Sequence, residues 1–193
     1  MIAIDGNIGC GKSTVLKTLC ENYCVFPEDI NSWGKWLPKY YENPKQYAMG
    51  FQLTVLLSHL RQQQEPIYDM TFYERCSHTC NRIFGSLLVD DGIMEPEELE
   101  LCVSYERQFN RPVEHLIYLK TTPEVCMHRI KSRDRDCETS IDINYLKKLH
   151  DKYEEVYNTG KYVVDGINIH IVDANASKDE IMEAIHGKIE MIE

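Results

Sequence analysis

The chain has 193 residues, enough for one domain with a sizeable core. Its 31 acidic against 21 basic residues leave a net charge of −10, which disfavours a nucleic-acid polymer as ligand because that binding is driven by a basic surface. No run of about eighteen apolar residues occurs, so no membrane span is expected.

Short apolar runs alternate with longer helical patterns, the signature of an α/β fold with a parallel sheet between two helix layers. Met1–Asp5 reads as a first strand and Lys12–Asn22 as its helix, with Val15, Leu16 and Leu19 on one face. Tyr23–Pro27 is a second strand. Residues Trp33–Tyr41 form a short helical or irregular segment broken at Pro38 and at Asn43-Pro44. Lys45–Gln64 is a long helix ended by Pro66, Ile67–Tyr73 a third strand, and Ser77–Val89 a helix closed by Asp90-Asp91-Gly92. Pro96, with Glu97 and Glu98 at the positive end of the dipole, opens another helix. His115–Lys120 is a fourth strand, and the helix capped by Thr122 runs to about Lys131. Ser132–Ile141 is charged and without apolar period, so a mobile loop is expected. Ile143–Tyr157 and Ser177–Ile192 are helices flanking a fifth strand, Ile169–Asp173. No repeat, low-complexity tract or linker interrupts residues 1–193, so a single domain is expected.

Eight cysteines lack paired C-x-x-C spacing, which argues against a zinc site. Chemistry begins at about residue 5, leaving no room for a signal or transit peptide. Reduced thiols in the cytoplasm are the expectation.

Gly6-Asn7-Ile8-Gly9-Cys10-Gly11-Lys12-Ser13-Thr14 satisfies G-x-x-x-x-G-K-[ST]. Glycines let the backbone curl so that successive amides face phosphate oxygens, and the following helix adds the positive end of its dipole. Lys12 reaches the β and γ phosphates, and the Ser13 hydroxyl suits Mg²⁺. A chance match in a chain this long has odds of roughly 1 in 100, and here it also sits between an apolar strand and an amphipathic helix. The motif establishes nucleoside triphosphate binding and no more. The absence of N-K-x-D after the fourth strand disfavours a GTPase.

In open parallel sheets ligands gather beyond the carboxyl ends of the strands. Three clusters fall there: the glycine loop after strand one, Glu28-Asp29 after strand two, and Glu74-Arg75 after strand three. An acidic acceptor side suits a neutral alcohol, which needs a proton acceptor to attack phosphorus. A phosphate already present on the acceptor would need cations at that place instead.

On these residues the chain resembles the deoxyribonucleoside kinase family, over residue 2 to about residue 175. Glu28-Asp29-Ile30-Asn31-Ser32-Trp33 matches the family's E-P-x-x-x-W, with Asp29 in place of proline. Phe51-Gln52 matches F-Q, with Tyr41 eleven residues before Gln52. Glu74-Arg75-Cys76 matches [DE]-R-S, with cysteine in place of serine. Arg129-Ile130-Lys131-Ser132-Arg133-Asp134-Arg135, followed by Glu138, matches an arginine-rich lid, here about 129–141.

The resemblance implies a P-loop three-layer α/β/α fold with a five-stranded parallel sheet, ATP with Mg²⁺, and a deoxynucleoside whose 5′-hydroxyl is phosphorylated. It implies that Glu28 is the general base and that Arg75, with Lys12, steadies the transferring group. Ser13 and Glu74 would hold the metal, while Arg129, Arg133 and Arg135 would close over ATP. Gln52 would read the base edge, Tyr41 and Glu138 the 3′-hydroxyl, and Trp33, Phe51 and Phe84 the base faces, with Leu37 and Ile8 nearby. His59 and Cys80 occupy positions that carry arginine and aspartate in the deoxycytidine and deoxyguanosine members. Loss of that charged pair points to thymidine, with deoxycytidine as a second substrate. A homodimer is implied as well. Two rivals stay open: a thymidylate kinase, and a nucleotide-binding regulatory protein without turnover.

Overall fold

A computed structural model describes residues 1–65, 70–133, 141–159 and 163–192 of the chain. The first strand, β1 (Ile2–Asp5), is buried along its whole length because it is paired on both edges and covered on both faces. It carries Ile2 and Ile4 into one core cluster and Ala3 into the other, the alternation that a strand between two layers requires. The turn after β1 leads into α1 (Lys12–Leu19), then β2 (Cys24–Phe26), α2 (Leu37–Glu42), α3 (Pro44–Gln64) and β3 (Thr71–Glu74). Next come α4 (Ser77–Thr79), a π-helical stretch (Cys80–Gly85), α5 (Ser86–Asp90), α6 (Pro96–Phe109), β4 (His115–Lys120) and α7 (Pro123–Arg133). The chain closes with α8 (Ile143–Tyr157), β5 (Val163–Val164), β6 (Ile167–Asp173) and α9 (Lys178–Glu190).

The strand order is β2-β3-β1-β4-β6-β5, parallel except for β5, which runs antiparallel to β6. One face of the sheet packs on Val15, Leu16 and Leu19 of α1, Cys126 and Ile130 of α7, and Ile181, Ile185 and Ile189 of α9. The other packs on Ile83, Leu87 and the α8 residues Leu149, Tyr153 and Tyr157. The three-layer α/β/α reading holds.

Six strands replace the expected five. β5 is two residues long and joins β6 through Asp165-Gly166, both at positive φ (50° and 85°), and so short a strand leaves no readable alternation. Pro38 does not break its segment: it lies in the first turn of α2, where its missing N–H costs nothing. A 3-10 turn, Ile30–Trp33, precedes it. Asn43 does end α2, and its side chain caps α3 by accepting from Gln46 N at 3.4 Å. The expected helix over Ser77–Val89 is interrupted by the π-helical stretch. Ser132 and Arg133, expected in a loop, belong to α7. The remainder of the lid, 134–140, lies outside the described residues, as do the first residues expected of the third strand, 67–69.

Candidate active site

With β2, β3 and β1 adjacent in the sheet, the turns after them meet at one edge. Gly9 and Gly11 take φ of +82° and +115°, which only glycine adopts cheaply. A Cβ on Gly9 would sit 2.7 Å from the Cys126 carbonyl oxygen, so the loop is also packed tightly under α7. Lys12 folds back over this loop, its Nζ donating to Gly6 O at 3.2 Å and Asn7 O at 3.0 Å. Asn7 itself turns inward, donating to Leu146 O at 2.8 Å.

The turn after β3 carries a strained residue. Arg75 has φ of +63°, costly for a residue with a Cβ; its amide is held by Ile4 O at 3.1 Å. That twist sends the guanidinium across the edge of the sheet to Glu28, whose two oxygens accept from Nη1 at 2.7 and 2.8 Å. Phe84 lies beneath the guanidinium at 5.0 Å. Burial pushes the Glu28 carboxyl up, but the positive charges of Arg75 and Lys12 and the hydrogen bonds from Arg75 outweigh it and leave the group below its usual 4.5. Glu28 is therefore an ionised carboxylate at neutral pH, next to the glycine loop. Beside it, Ser13 Oγ donates to Glu74 Oε1 at 2.9 Å.

A cavity of about 870 Å³ runs from the glycine loop past this pair, within the range of sites that enclose small molecules. Its donor end is lined by Gly9, Cys10, Gly11, Lys12, Ser13, Thr14, Arg129 and Arg133. Arg129 Nη1 donates to Cys10 O at 2.8 Å, which ties α7 to the loop. These cations gather locally in a chain whose net charge is −10. Its acceptor end is lined by Trp33, Leu37, Tyr41, Phe51, Gln52, His59, Cys80 and Phe84, with Ile8, Glu28, Glu74 and Arg75 between the two ends.

At the acceptor end Trp33 meets Phe51 edge-on at 6.1 Å, and Tyr40 stacks on Phe51 at 5.0 Å. Trp33 is fixed by its Nε1 donating to Ser58 Oγ at 3.1 Å. Gln52 Nε2 donates to the Cys80 carbonyl at 2.6 Å. That contact assigns the amide, since the opposite flip would set two oxygens against each other. Burial pushes the His59 imidazole below its usual 6.5, only partly opposed by Glu28. Its Nε2 has no hydrogen-bond partner among the described residues, although the side chain is buried.

Of the residues singled out from the sequence, Gly6 and Asn7 do not line the cavity; they brace the loop from behind. Arg135 and Glu138 lie outside the described residues. Tyr40, Tyr145 and Lys178 line the cavity and were not expected. Burial drives the Tyr145 phenol upward, and it lies in the fields of Tyr40, Tyr41 and Arg75. Tyr40 adjoins Tyr41 in a segment too short and irregular in pattern to orient either ring, and Tyr145 lies on α8, far away in sequence.

The model of the deoxynucleoside kinase family matches residues 2–190. The chain is 33% identical to human deoxycytidine kinase over 190 residues, covering 79% of this chain and 73% of that one. It is 33% identical to protein 029R of Invertebrate iridescent virus 3, which carries the name of a kinase, over 91% of this chain and 88% of that one. It is 29% identical to the thymidine kinase of Ictalurid herpesvirus 1 over 96% of this chain and 83% of the relative. Every strand of the sheet falls inside the family match, and the chain belongs to the deoxynucleoside kinase family, which takes its phosphoryl group from ATP.

Proposed function

We propose that this protein phosphorylates the 5′-hydroxyl of thymidine, with deoxycytidine as a second substrate. The observation that carries the reading is an ionised carboxylate, Glu28, on the wall that joins the glycine loop to an aromatic slot. The 5′-oxygen attacks the γ-phosphorus as its proton passes to Glu28, the bond from γ-phosphorus to the bridging oxygen breaks, and ADP leaves. Lys12 and Arg75 neutralise the charge on the transferring group, and Arg129 and Arg133 cover the triphosphate.

Mg²⁺ fits the pair Ser13 and Glu74: a hydroxyl and a carboxylate oxygen 2.9 Å apart are hard donors of the kind it takes alongside phosphates. Bound there, the ion would offset charge on the β and γ phosphates.

The base edge is read by the amide of Gln52, and the preference for thymine rests on His59 and Cys80. With Nε2 donating to Cys80 O at 2.6 Å and to Cys80 Sγ at 3.3 Å, the amide still offers Oε1 as an acceptor. That acceptor can take the N3–H of thymine or the N4–H of cytosine. The uncharged His59 and Cys80 leave the base edge free of an ion pair, and Tyr41, with Glu138, serves the 3′-hydroxyl.

Two features support the protein's setting. Leu101, Tyr105 and Phe109 recur every four residues on α6, 39–50% exposed, an apolar stripe suited to a second copy of the chain. All seven cysteines among the described residues are free thiols, in keeping with a cytoplasmic protein. Among the described residues no helix is long and apolar enough to cross a membrane.

The test is a panel of ATP-coupled rates over thymidine, deoxycytidine, deoxyadenosine, deoxyguanosine and thymidine monophosphate. The reading expects thymidine first and no turnover of the monophosphate; a preference for the monophosphate overturns it.

A further inference from the structure

One buried carboxylate next to the site does not line the cavity. Asp5, the last residue of β1, is fully buried. It accepts from Gly6 N at 2.6 Å and Tyr153 hydroxyl at 2.8 Å through Oδ1, and from the Thr79 hydroxyl through Oδ2. Arg75 Nε stands 3.8 Å from Oδ1 and has no hydrogen-bond partner among the described residues. Among the described residues Arg75 therefore has two carboxylates within 4 Å, Glu28 on its Nη1 side and Asp5 on its Nε side, with Glu74 acting from further off.

Only one of the two can last through the reaction proposed above, on which this inference rests. When Glu28 takes the proton of the sugar hydroxyl it becomes neutral and ceases to hold Arg75 by charge. A guanidinium whose side chain is 7% exposed is strongly disfavoured without a partner. Asp5 does not line the cavity and is held by three donors, Gly6 N and the Tyr153 and Thr79 hydroxyls, so no sugar hydroxyl passes its proton there. We propose that Asp5 is a positioning residue for phosphoryl transfer: it is the standing counter-charge that anchors Arg75 on its Nε side while Nη1 passes from Glu28 to the transferring group. The left-handed backbone of Arg75 fits this role, because it aims the guanidinium between the two carboxylates.

Asp5→Asn isolates the charge. The amide oxygen still accepts from Gly6 and Tyr153, and the amide nitrogen donates to Thr79 Oγ1, which retains Tyr157 as a partner at 3.2 Å. Orienting partners of this kind typically matter by about 10–100-fold. The expected result is a kcat loss of that size with the KM for ATP unchanged, and a further loss of less than about threefold when Arg75→Gln is already present.

Equal losses in both backgrounds, or a rise in the KM for ATP at unchanged kcat, overturn the proposal and make Asp5 a brace for the loop. Thermal unfolding of each variant monitors folding. Should Asp5→Asn not fold, Tyr153→Phe releases the carboxylate without removing it, and the same cycle with Arg75→Gln decides. A wild-type protein without transfer to any nucleoside would overturn the kinase reading and this proposal together, whereas additive losses in an active enzyme overturn this proposal alone.

Discussion

Glu28→Gln removes the proton acceptor while keeping its shape. Both Glu28 oxygens bond a single nitrogen, Arg75 Nη1, at 2.7 and 2.8 Å. The amide can accept there through one oxygen, but its NH₂ cannot face the same donor. One charge-assisted bond is lost at a carboxylate that is only 11% exposed, at a cost of about 2 kcal/mol. For a chain of this size that lowers Tm by roughly 4–8 °C. The rate effect is larger: loss of a positioned general base lowers kcat about 10²–10⁴-fold, or about 3–5 kcal/mol in the barrier. ATP affinity stays near the wild-type value, because the donor end of the cavity has its own residues. The assay is single-turnover formation of the nucleoside monophosphate, with ATP affinity measured by titration and folding by calorimetry. A variant with kcat within about threefold of wild type would refute the role of Glu28 as base.

Ser13→Ala breaks the bond to Glu74 and is expected to raise the Mg²⁺ concentration for half-maximal rate about tenfold, read from a Mg²⁺ titration at fixed ATP. Gly9→Ala places a Cβ against the Cys126 carbonyl at a φ of +82°, so a loss of about 2–4 kcal/mol in thermal stability is expected, together with weaker ATP binding. Because Glu28 is held below 4.5, the acid limb of kcat/KM lies below that pH. The stability this carboxylate contributes is present above its unfolded value and disappears as pH falls through the lower folded one. If α6 pairs two copies as proposed, Phe109→Asp on its exposed stripe is expected to sediment as a monomer where the unchanged protein sediments as a dimer.

The donor half of the site was legible because phosphate recognition uses the backbone itself, and backbone shape is written in glycines at fixed spacing. Glu28 and Arg75 were legible through topology, since the turns after adjacent parallel strands must meet. Asp5 was not. Its importance comes from Thr79 and Tyr153, which lie 74 and 148 residues further along the chain, and no local pattern announces such a partner set. The interrupted helix after β3 was hidden for a related reason: a π-helical stretch keeps helical composition and shifts only the register. That shift matters locally, because its first residue, Cys80, receives the Gln52 amide. Tyr145 reached the cavity wall through the packing of α8, which helical period alone does not orient toward a ligand.

The proposed reaction is direct transfer of a phosphoryl group from ATP to an uncharged sugar alcohol. Incubating the protein with γ-labelled ATP and thymidine, then resolving the products after one turnover, tests it in a single step. Label in thymidine 5′-monophosphate is the expected result. Label confined to inorganic phosphate, or appearing only in a diphosphate when the monophosphate is supplied, would contradict it.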